Sequence, residues 1–291
     1  MRKLKKLVLL GTGLIGGSFS LALKRAGCVE YVVGVGRNSD NLSRALELKV
    51  IDEASQDAVS AVTDADLVLL SAPVGQMAAL LQQIAPHLPA HCIVSDAGST
   101  KQDVCALYQK YLPHHLSRCV PGHPIAGSEL SGAAAAQYGL YEGRRVVLTP
   151  LAESAAESVE FLRALWQACG AQVFEMSAAE HDGVFSAVSH VPHLLAFSYM
   201  NAVLDRHNAS LCFDFAATGF RDFTRIAASH PEMWRDITLA NKDAILLDLK
   251  ANAAQLLALI DCIENHDASG LNERIVRAST ARSQWGRQSR S

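Results

Sequence analysis

The sequence predicts an α/β fold: a parallel sheet covered by helices on both faces, followed by an all-α second domain. Three observations predict it. Short apolar runs bounded by turn residues recur from "KLVLLG" (6–11) to "AQVFEM" (171–176), with helical stretches between most of them. The runs are apolar at consecutive positions, as strands buried on both faces are. After about residue 175 strand signals stop and helical patterning continues alone.

The strand candidates follow in order: 6–11, "YVVGVG" (31–36), "DLVLLSAP" (66–73), "CIVSDAGS" (92–99), "RCVPG" (118–122), "RRVVLTP" (144–150) and 171–176. "SAAE" (177–180) is a capping box, in which Ser177 and Glu180 satisfy each other's amides, and a helical pattern then runs to about Asp205. "SHPE" (229–232) is a second such box, opening a helix with Ile245, Leu249, Leu256, Ile260 and Ile263 at three-four spacing. Long amphipathic helices with little sheet near them need a partner surface, so a homodimer formed through the helical domain is expected. The polar, arginine-rich "ASTARSQWGRQSRS" is expected to lack structure. The expected organisation is therefore a dinucleotide-binding unit over 1–175, a helical substrate and dimerisation domain over 176–278, and a flexible tail over 279–291.

Composition narrows the class. The 291 residues are 49% apolar and 19% charged with a net charge of -3, a globular balance without the basic face of a nucleic-acid binder. The seven cysteines form no C-x-x-C pair, which suits a reducing cytoplasm. No run approaches the roughly 18 apolar residues of a membrane span, and "MRKLKK" leads into a short apolar run and glycines, so the N-terminus is read as part of the fold.

"LLGTGLIGGS" (9–18) follows the first strand and opens the first helix, setting Gly11, Gly13 and Gly16 in G-x-G-x-x-G order with Thr12, Leu14 and Ile15 between them. The first glycine turns tightly, the second lets backbone approach a pyrophosphate, and the third lets helix and strand pack closely. That is the Rossmann-type dinucleotide arrangement. An NAD site places Asp or Glu after the second strand; here Gly36 and Arg37 stand there, and a guanidinium pairs with a 2′-phosphate, with the Ser39 hydroxyl in support. The expected cofactor is NADP in preference to NAD, the alternative being a solvated Arg37. Ser71, Ala72 and Pro73 of "SAPV" lie at a strand's carboxyl end, where the cofactor should sit.

"SDAGSTK" (95–101) lies at another such end: Ser99 either bonds a substrate hydroxyl or caps a helix through S-x-x-Q with Gln102. His123, between Gly122 and Pro124 on a short loop, is either a general base for alcohol oxidation or a turn residue bonded to a carbonyl. His190 and His193 in "SHVPH" share one helical face, beside a kink at Pro192, and either meet substrate or pack at the core's edge; no recognised zinc spacing lies nearby. "GFRDFTRIAASHPEMW" (219–234) reads as an irregular segment whose arginines either capture a carboxylate or form a solvated cluster.

Taken in order, "GTGLIGGS", "SAPV", "DAGSTK", "GHPIAGSE", "SHVPH" and "GFRDFTRIA" resemble the prephenate/arogenate dehydrogenases of tyrosine biosynthesis over about residues 5–265. The resemblance implies oxidative decarboxylation of a cyclohexadienol. By it, His123 accepts the C4 hydroxyl proton, Ser99 assists there, and Arg225 holds the ring carboxylate. His193 and His190 line the side-chain end, Glu129 and Asp222 gate the site with Arg225, and Trp234 closes it, reaching toward a neighbouring subunit. Arg37 resembles the NADP-using arogenate branch. No length remains for a fused mutase or regulatory domain. Three other classes fit parts of the pattern: a 3-hydroxyacid or 6-phosphogluconate type dehydrogenase, whose catalytic lysine is missing from "AAEHDGVFSAVSHVPH"; a pyrroline-carboxylate or ketol-acid type reductase, which fits NADP but not the "GHPIAGSE" loop; and a non-catalytic dinucleotide-sensing regulator, which has no use for His123, His193 and Arg225 together.

Overall fold

A computed structural model describes residues 2–127 and 130–288. The first half alternates strand and helix: β1 (Leu4–Leu10), α1 (Leu14–Arg25), β2 (Val29–Val35), α2 (Ser39–Glu47), β3 (Glu53–Ser55), α3 (Ala58–Val62), β4 (Leu67–Leu70), α4 (Val74–Ile84), β5 (Ile93–Asp96), α5 (Gln102–Tyr111) and β6 (Cys119–Val120). These strands form one parallel sheet in the order β3-β2-β1-β4-β5-β6, which reverses direction of growth between β1 and β4. In such sheets ligands bind at that reversal, outside the strands' carboxyl ends. The consecutive apolar residues of β1 explain themselves: Leu7 and Leu9 enter one core layer, Val8 and Leu10 the opposite one. Both faces are covered, so alternation would have left a polar group buried.

The chain then leaves the parallel sheet. Pro121 has no N–H for the ladder, and β7 (Gly122–Ile125) turns away to pair antiparallel with β8 (Arg145–Leu148). After α6 (Ala156–Ala168), β9 (Gln172–Glu175) pairs parallel with β8, completing a separate three-stranded sheet. The expected single sheet is thus two, and β3 is a strand too short and too polar for its run to stand out.

Beyond Glu175 no described residue is in a strand. The helices are α7 (Ala178–Phe185), α8 (Val191–Leu204), α9 (Ala209–Asp214), α10 (Thr218–Thr224), α11 (Pro231–Ala240), α12 (Lys242–Glu264) and α13 (Ala268–Gln288). The Ser177–Glu180 capping box forms in full at the start of α7. A π-helical turn over Ser186–His190 joins α7 to α8 ahead of Pro192, whose missing N–H disturbs the regular ladder. Three local expectations are corrected. "GFRDFTRIA" is helical, as α10 and a 3₁₀ turn over Arg225–Ala228. His230, not Ser229, caps α11, and that helix ends at Asn241 before the apolar stripe begins. The tail is helical through Gln288, since its alanines and arginines favour helix despite their polarity.

The chain forms two compact units, Met1–Lys242 and Asp243–Ser291. The larger one therefore includes α7 to α11 together with both sheets. In the smaller one Leu247, Leu256, Leu257, Ile260 and Ile263 of α12 are exposed, whereas Ile245 is buried. None of the described helices is long and apolar enough to cross a membrane.

Candidate active site

The glycine loop fits a dinucleotide pyrophosphate. Gly11 has φ +110°, and a Cβ there would stand 2.8 Å from the Ser71 backbone. A Cβ on Gly16 would stand 2.6 Å from the Gly11 carbonyl. Ser71 Oγ donates to that carbonyl at 2.7 Å, tying β4's end to the loop. Around Gly13, by contrast, nothing lies within 4 Å of a built Cβ. Gly13 is the N-cap of α1, with no side-chain cap and no acidic residue in the first turn, so the helix presents bare amides and its positive end to that open space.

Neighbouring residues hold the loop rather than fill it. Thr12 Oγ1 accepts from the Asn41 amide at 2.8 Å, and Asn41 Oδ1 accepts from Ala133 N at 2.7 Å. The Ile15 carbonyl accepts from the Tyr141 hydroxyl at 2.6 Å, while Leu14 is buried. Ala72 leads to Pro73, the N-cap of α4. Arg37 is exposed just past β2 and enters no ion pair among the described residues; its carbonyl accepts from Gln56. Ser39, also exposed, opens α2 behind the Asn38 cap.

His123 occupies the second position of β7 rather than a free loop, paired in register with Val147. Its Nδ1 lies 2.8 Å from His181 Nε2, and His181 Nδ1 lies 2.8 Å from Asp182 Oδ1. Phe185 packs against both rings, at 4.9 Å from His123 and 4.5 Å from His181. Burial drives the His123 imidazole well below its ordinary value, helped by His181, Lys101 and His190. His181 is lowered as well, burial outweighing its bond to Asp182. Burial pulls the Asp182 carboxyl upward, but hydrogen bonds from His181 and the Gln102 and Lys101 amides prevail and leave it lowered.

Beneath His123 lies a clamp. Lys101 Nζ and Asp96 form a salt bridge in which neither side chain is exposed. Lys101 Nζ also donates to the Gly122 carbonyl at 2.8 Å, and Gly122 N donates to Asp96 Oδ1 at 3.1 Å. Both backbone groups of the residue before His123 are thereby fixed. A Cβ on Gly122 would come within 3.2 Å of the Asp96 carbonyl, so glycine suits the approach.

Ser99 does not cap α5. The N-cap is Lys101, without a side-chain bond, and the cap arrives from α7: Asp182 Oδ1 accepts from Lys101 N and Oδ2 from Gln102 N, each at 2.8 Å. The Ser99 backbone instead meets His190, which is buried. Asn241 donates to His190 Nδ1 at 3.1 Å and to the Asp182 carbonyl at 2.8 Å. Burial brings His190 down to about 4. It is a core residue of this site rather than a lining one.

His193 is half-buried, its Nδ1 2.8 Å from the Ser189 carbonyl, and it stacks on Trp234 with centroids 3.7 Å apart and planes 21° apart. Trp234 is only 7% exposed and packs on His190 and Phe197 of its own chain. Burial lowers His193, and the Arg225 charge lowers it further. Arg225 and Asp222 are exposed. Glu129 lies outside the described residues. Among the described residues no cluster of three His, Cys, Asp or Glu side chains could hold a metal ion.

Sequence reasoning missed His181, Asp182, Lys101 and Asn241. Lys101 ends the "DAGSTK" run already singled out, and "HD" follows directly on the capping box, so both were visible as residue types. The contacts that draw them into one site, Lys101 to Gly122, His181 to His123, Asn241 to Asp182 and Lys101 to Asp182, span 21, 58, 59 and 81 positions, which no local pattern encodes.

Residues 19–175 match the family model described as prephenate dehydrogenase, nucleotide-binding domain, and residues 177–277 the model described as prephenate dehydrogenase, dimerization domain. The chain is 39% identical over 274 residues to a prephenate dehydrogenase of Bacillus subtilis (strain 168), covering 93% of this chain and 74% of that one. It is 35% identical over 285 residues to a cyclohexadienyl dehydrogenase of Zymomonas mobilis, covering 97% of this chain and 96% of that one. The crystal structure of prephenate dehydrogenase from A. aeolicus in complex with hydroxyphenyl propionate and NAD+ matches with a TM-score of 0.89 at 32% identity, over 96% of this chain and 98% of that one.

Proposed function

The chain belongs to the prephenate dehydrogenase family, and from that premise we propose how its residues carry out oxidative decarboxylation of prephenate or arogenate in tyrosine biosynthesis. The Gly11–Gly16 loop, the α1 N-terminus and the Ser71–Pro73 segment hold a nicotinamide dinucleotide. When bound, that cofactor supplies the two-electron oxidant for the carbinol carbon.

His123 takes the C4 hydroxyl proton on Nε2, the ring nitrogen that His181 does not engage. The O–H bond breaks as the carbinol becomes a carbonyl. The ring carboxylate then departs as carbon dioxide, its bonding pair completing the aromatic ring, and the phenolate oxygen recovers a proton from His123. The base ends as it began. Ser99 orients the hydroxyl, Arg225 holds the ring carboxylate, and His193 meets the side-chain end. Asp222 and Glu129 gate the entrance with Arg225. The observation that carries this reading is the His123–His181 contact, which engages Nδ1 and not Nε2 in a site whose burial keeps the ring neutral.

NADP is the proposed cofactor in preference to NAD, supported by the exposed Arg37 guanidinium where an acidic residue would otherwise bind the ribose diol. A homodimer through the helical domain is supported by the exposed apolar residues of α12. Seven free cysteines support a reducing, cytoplasmic setting. The deciding assay is a four-way comparison of initial rates, prephenate or arogenate with NADP or NAD, following reduced nucleotide. No turnover in any arm would overturn the reading.

A further inference from the structure

We infer that Asp182 is the positioning residue for both members of the catalytic pair, setting the tautomer of His123 through His181 and fixing Ser99 through the start of α5. The inference rests on the dehydrogenase reading above.

The tautomer follows from counting donors and acceptors. Asp182 Oδ1 accepts only, so His181 Nδ1 must carry a hydrogen to meet it at 2.8 Å. A neutral His181 then has a bare Nε2, which must accept. His123 Nδ1, 2.8 Å away, is therefore the N–H, and the lone pair of His123 falls on Nε2. Without the carboxylate, His181 is free to place its hydrogen on Nε2, and His123 would turn its lone pair toward His181 and away from any substrate.

The second arm runs through the backbone. The same carboxylate receives the Lys101 and Gln102 amides, two and three residues after Ser99. The Asp182 carbonyl receives Asn241, which also holds His190 Nδ1, and His190 in turn bonds the Ser99 backbone. One residue on α7 thus anchors a β7 imidazole and the loop after β5.

The proton step balances within this chain. The substrate O–H bond breaks, an N–H bond forms at His123 Nε2, and the imidazolium's Nδ1–H points along the relay toward the Asp182 carboxylate. Among the described residues, that carboxylate, His181, Lys101, Asp96 and His190 are the titratable groups around His123. Lys101 opposes the new charge and Asp182 favours it, so removing the carboxylate makes His123 harder to protonate.

The test combines spectroscopy and kinetics on the full-length protein. Nitrogen-15 spectra of histidine side chains, with His123 assigned by its loss in H123N, are expected to show the Nδ1–H tautomer in wild type and loss of that single form in D182A, which removes the acceptor. In D182A, kcat is expected to fall about 10²-fold or more with KM within about twofold, and the acid limb of the pH profile to move to lower pH. Because Asp182 also caps α5, H181Q and H181L supply a pair that keeps the cap. The Gln oxygen can accept from His123 Nδ1, so H181Q should retain at least about 10-fold more activity than H181L. A wild-type His123 in the Nε2–H tautomer, an unmoved acid limb in D182A, or equal losses in H181Q and H181L would overturn the inference. The tautomer readout needs no turnover, so it separates this failure from a failure of the dehydrogenase reading.

Discussion

Lys101 and Asp96 form an ion pair with no solvent exposure on either side chain, directly under the backbone of Gly122. A buried pair contributes little beyond an apolar replacement, but breaking one leaves an uncompensated charge in a low-dielectric interior. Asp96→Asn should therefore cost about 3–5 kcal/mol of stability. Denaturant unfolding of the variant, compared with wild type at pH 7, measures it; a loss under about 1 kcal/mol would mean that solvent reaches Lys101.

His123→Asn should lower kcat by about 10²- to 10⁴-fold while leaving dinucleotide affinity intact. The imidazole must be neutral to accept a proton, and burial holds its protonation well below the ordinary imidazole range. Activity should accordingly stay level as pH falls from 8 through 6.5, with its acid limb below that ordinary value. Steady-state rates across pH check this, and a limb centred at or above 6.5 would contradict a desolvated base.

Acid should destabilise the fold through His190. Its value drops from 6.5 to about 4 on folding, so above 6.5 both states are neutral and the residue is silent. Between 6.5 and 4 the unfolded chain binds a proton that the folded one refuses, and stability falls by roughly 3 kcal/mol. Below 4 the loss saturates. His190→Gln should flatten the stability-against-pH curve in that window, as followed by thermal unfolding at pH 7, 5.5 and 4.

Arg37→Asp should shift cofactor preference from NADP toward NAD. A charge-assisted pair with a 2′-phosphate is worth about 1.5–3 kcal/mol, or roughly 10- to 100-fold in affinity. Titration of both nucleotides against wild type and variant gives the ratio directly; an unchanged ratio would leave Arg37 as a solvated side chain.

The exposed Leu256, Ile260 and Ile263 share one face of α12 by helical spacing, with exposed Leu257 beside them, an apolar surface that a second copy would cover. Sedimentation should report a dimer, and Leu257→Asp should shift it toward monomer. A wild-type monomer at micromolar concentration would defeat the assembly.

The parallel sheet, its helices and the phosphate loop were legible because each is encoded within a few residues. "KLVLLG" is apolar on both faces, and Gly11 needs its positive φ wherever the chain runs next. The Ser177–Glu180 box formed as read, since both partners lie in one turn. The S-x-x-Q at Ser99 failed for the complementary reason: the α5 amides had a better acceptor in Asp182, which sequence distance concealed. The "SHPE" box at Ser229 gave way to His230, and an arginine-rich tail proved helical because exposed polarity does not oppose helix.

By itself, then, the chain's order of residues determined which chemistry is present: a glycine cradle, a histidine beside Gly122, an arginine after β2. Only tertiary folding decided which nitrogen of His123 faces His181 and which is left to the proposed proton transfer, because that depends on His181 and Asp182, the nearer of them 58 positions away. Hydrogen-bond donors and acceptors are assigned by neighbours in space, and neighbours across 58 or 81 residues exist only once β5, β7 and α7 have packed together.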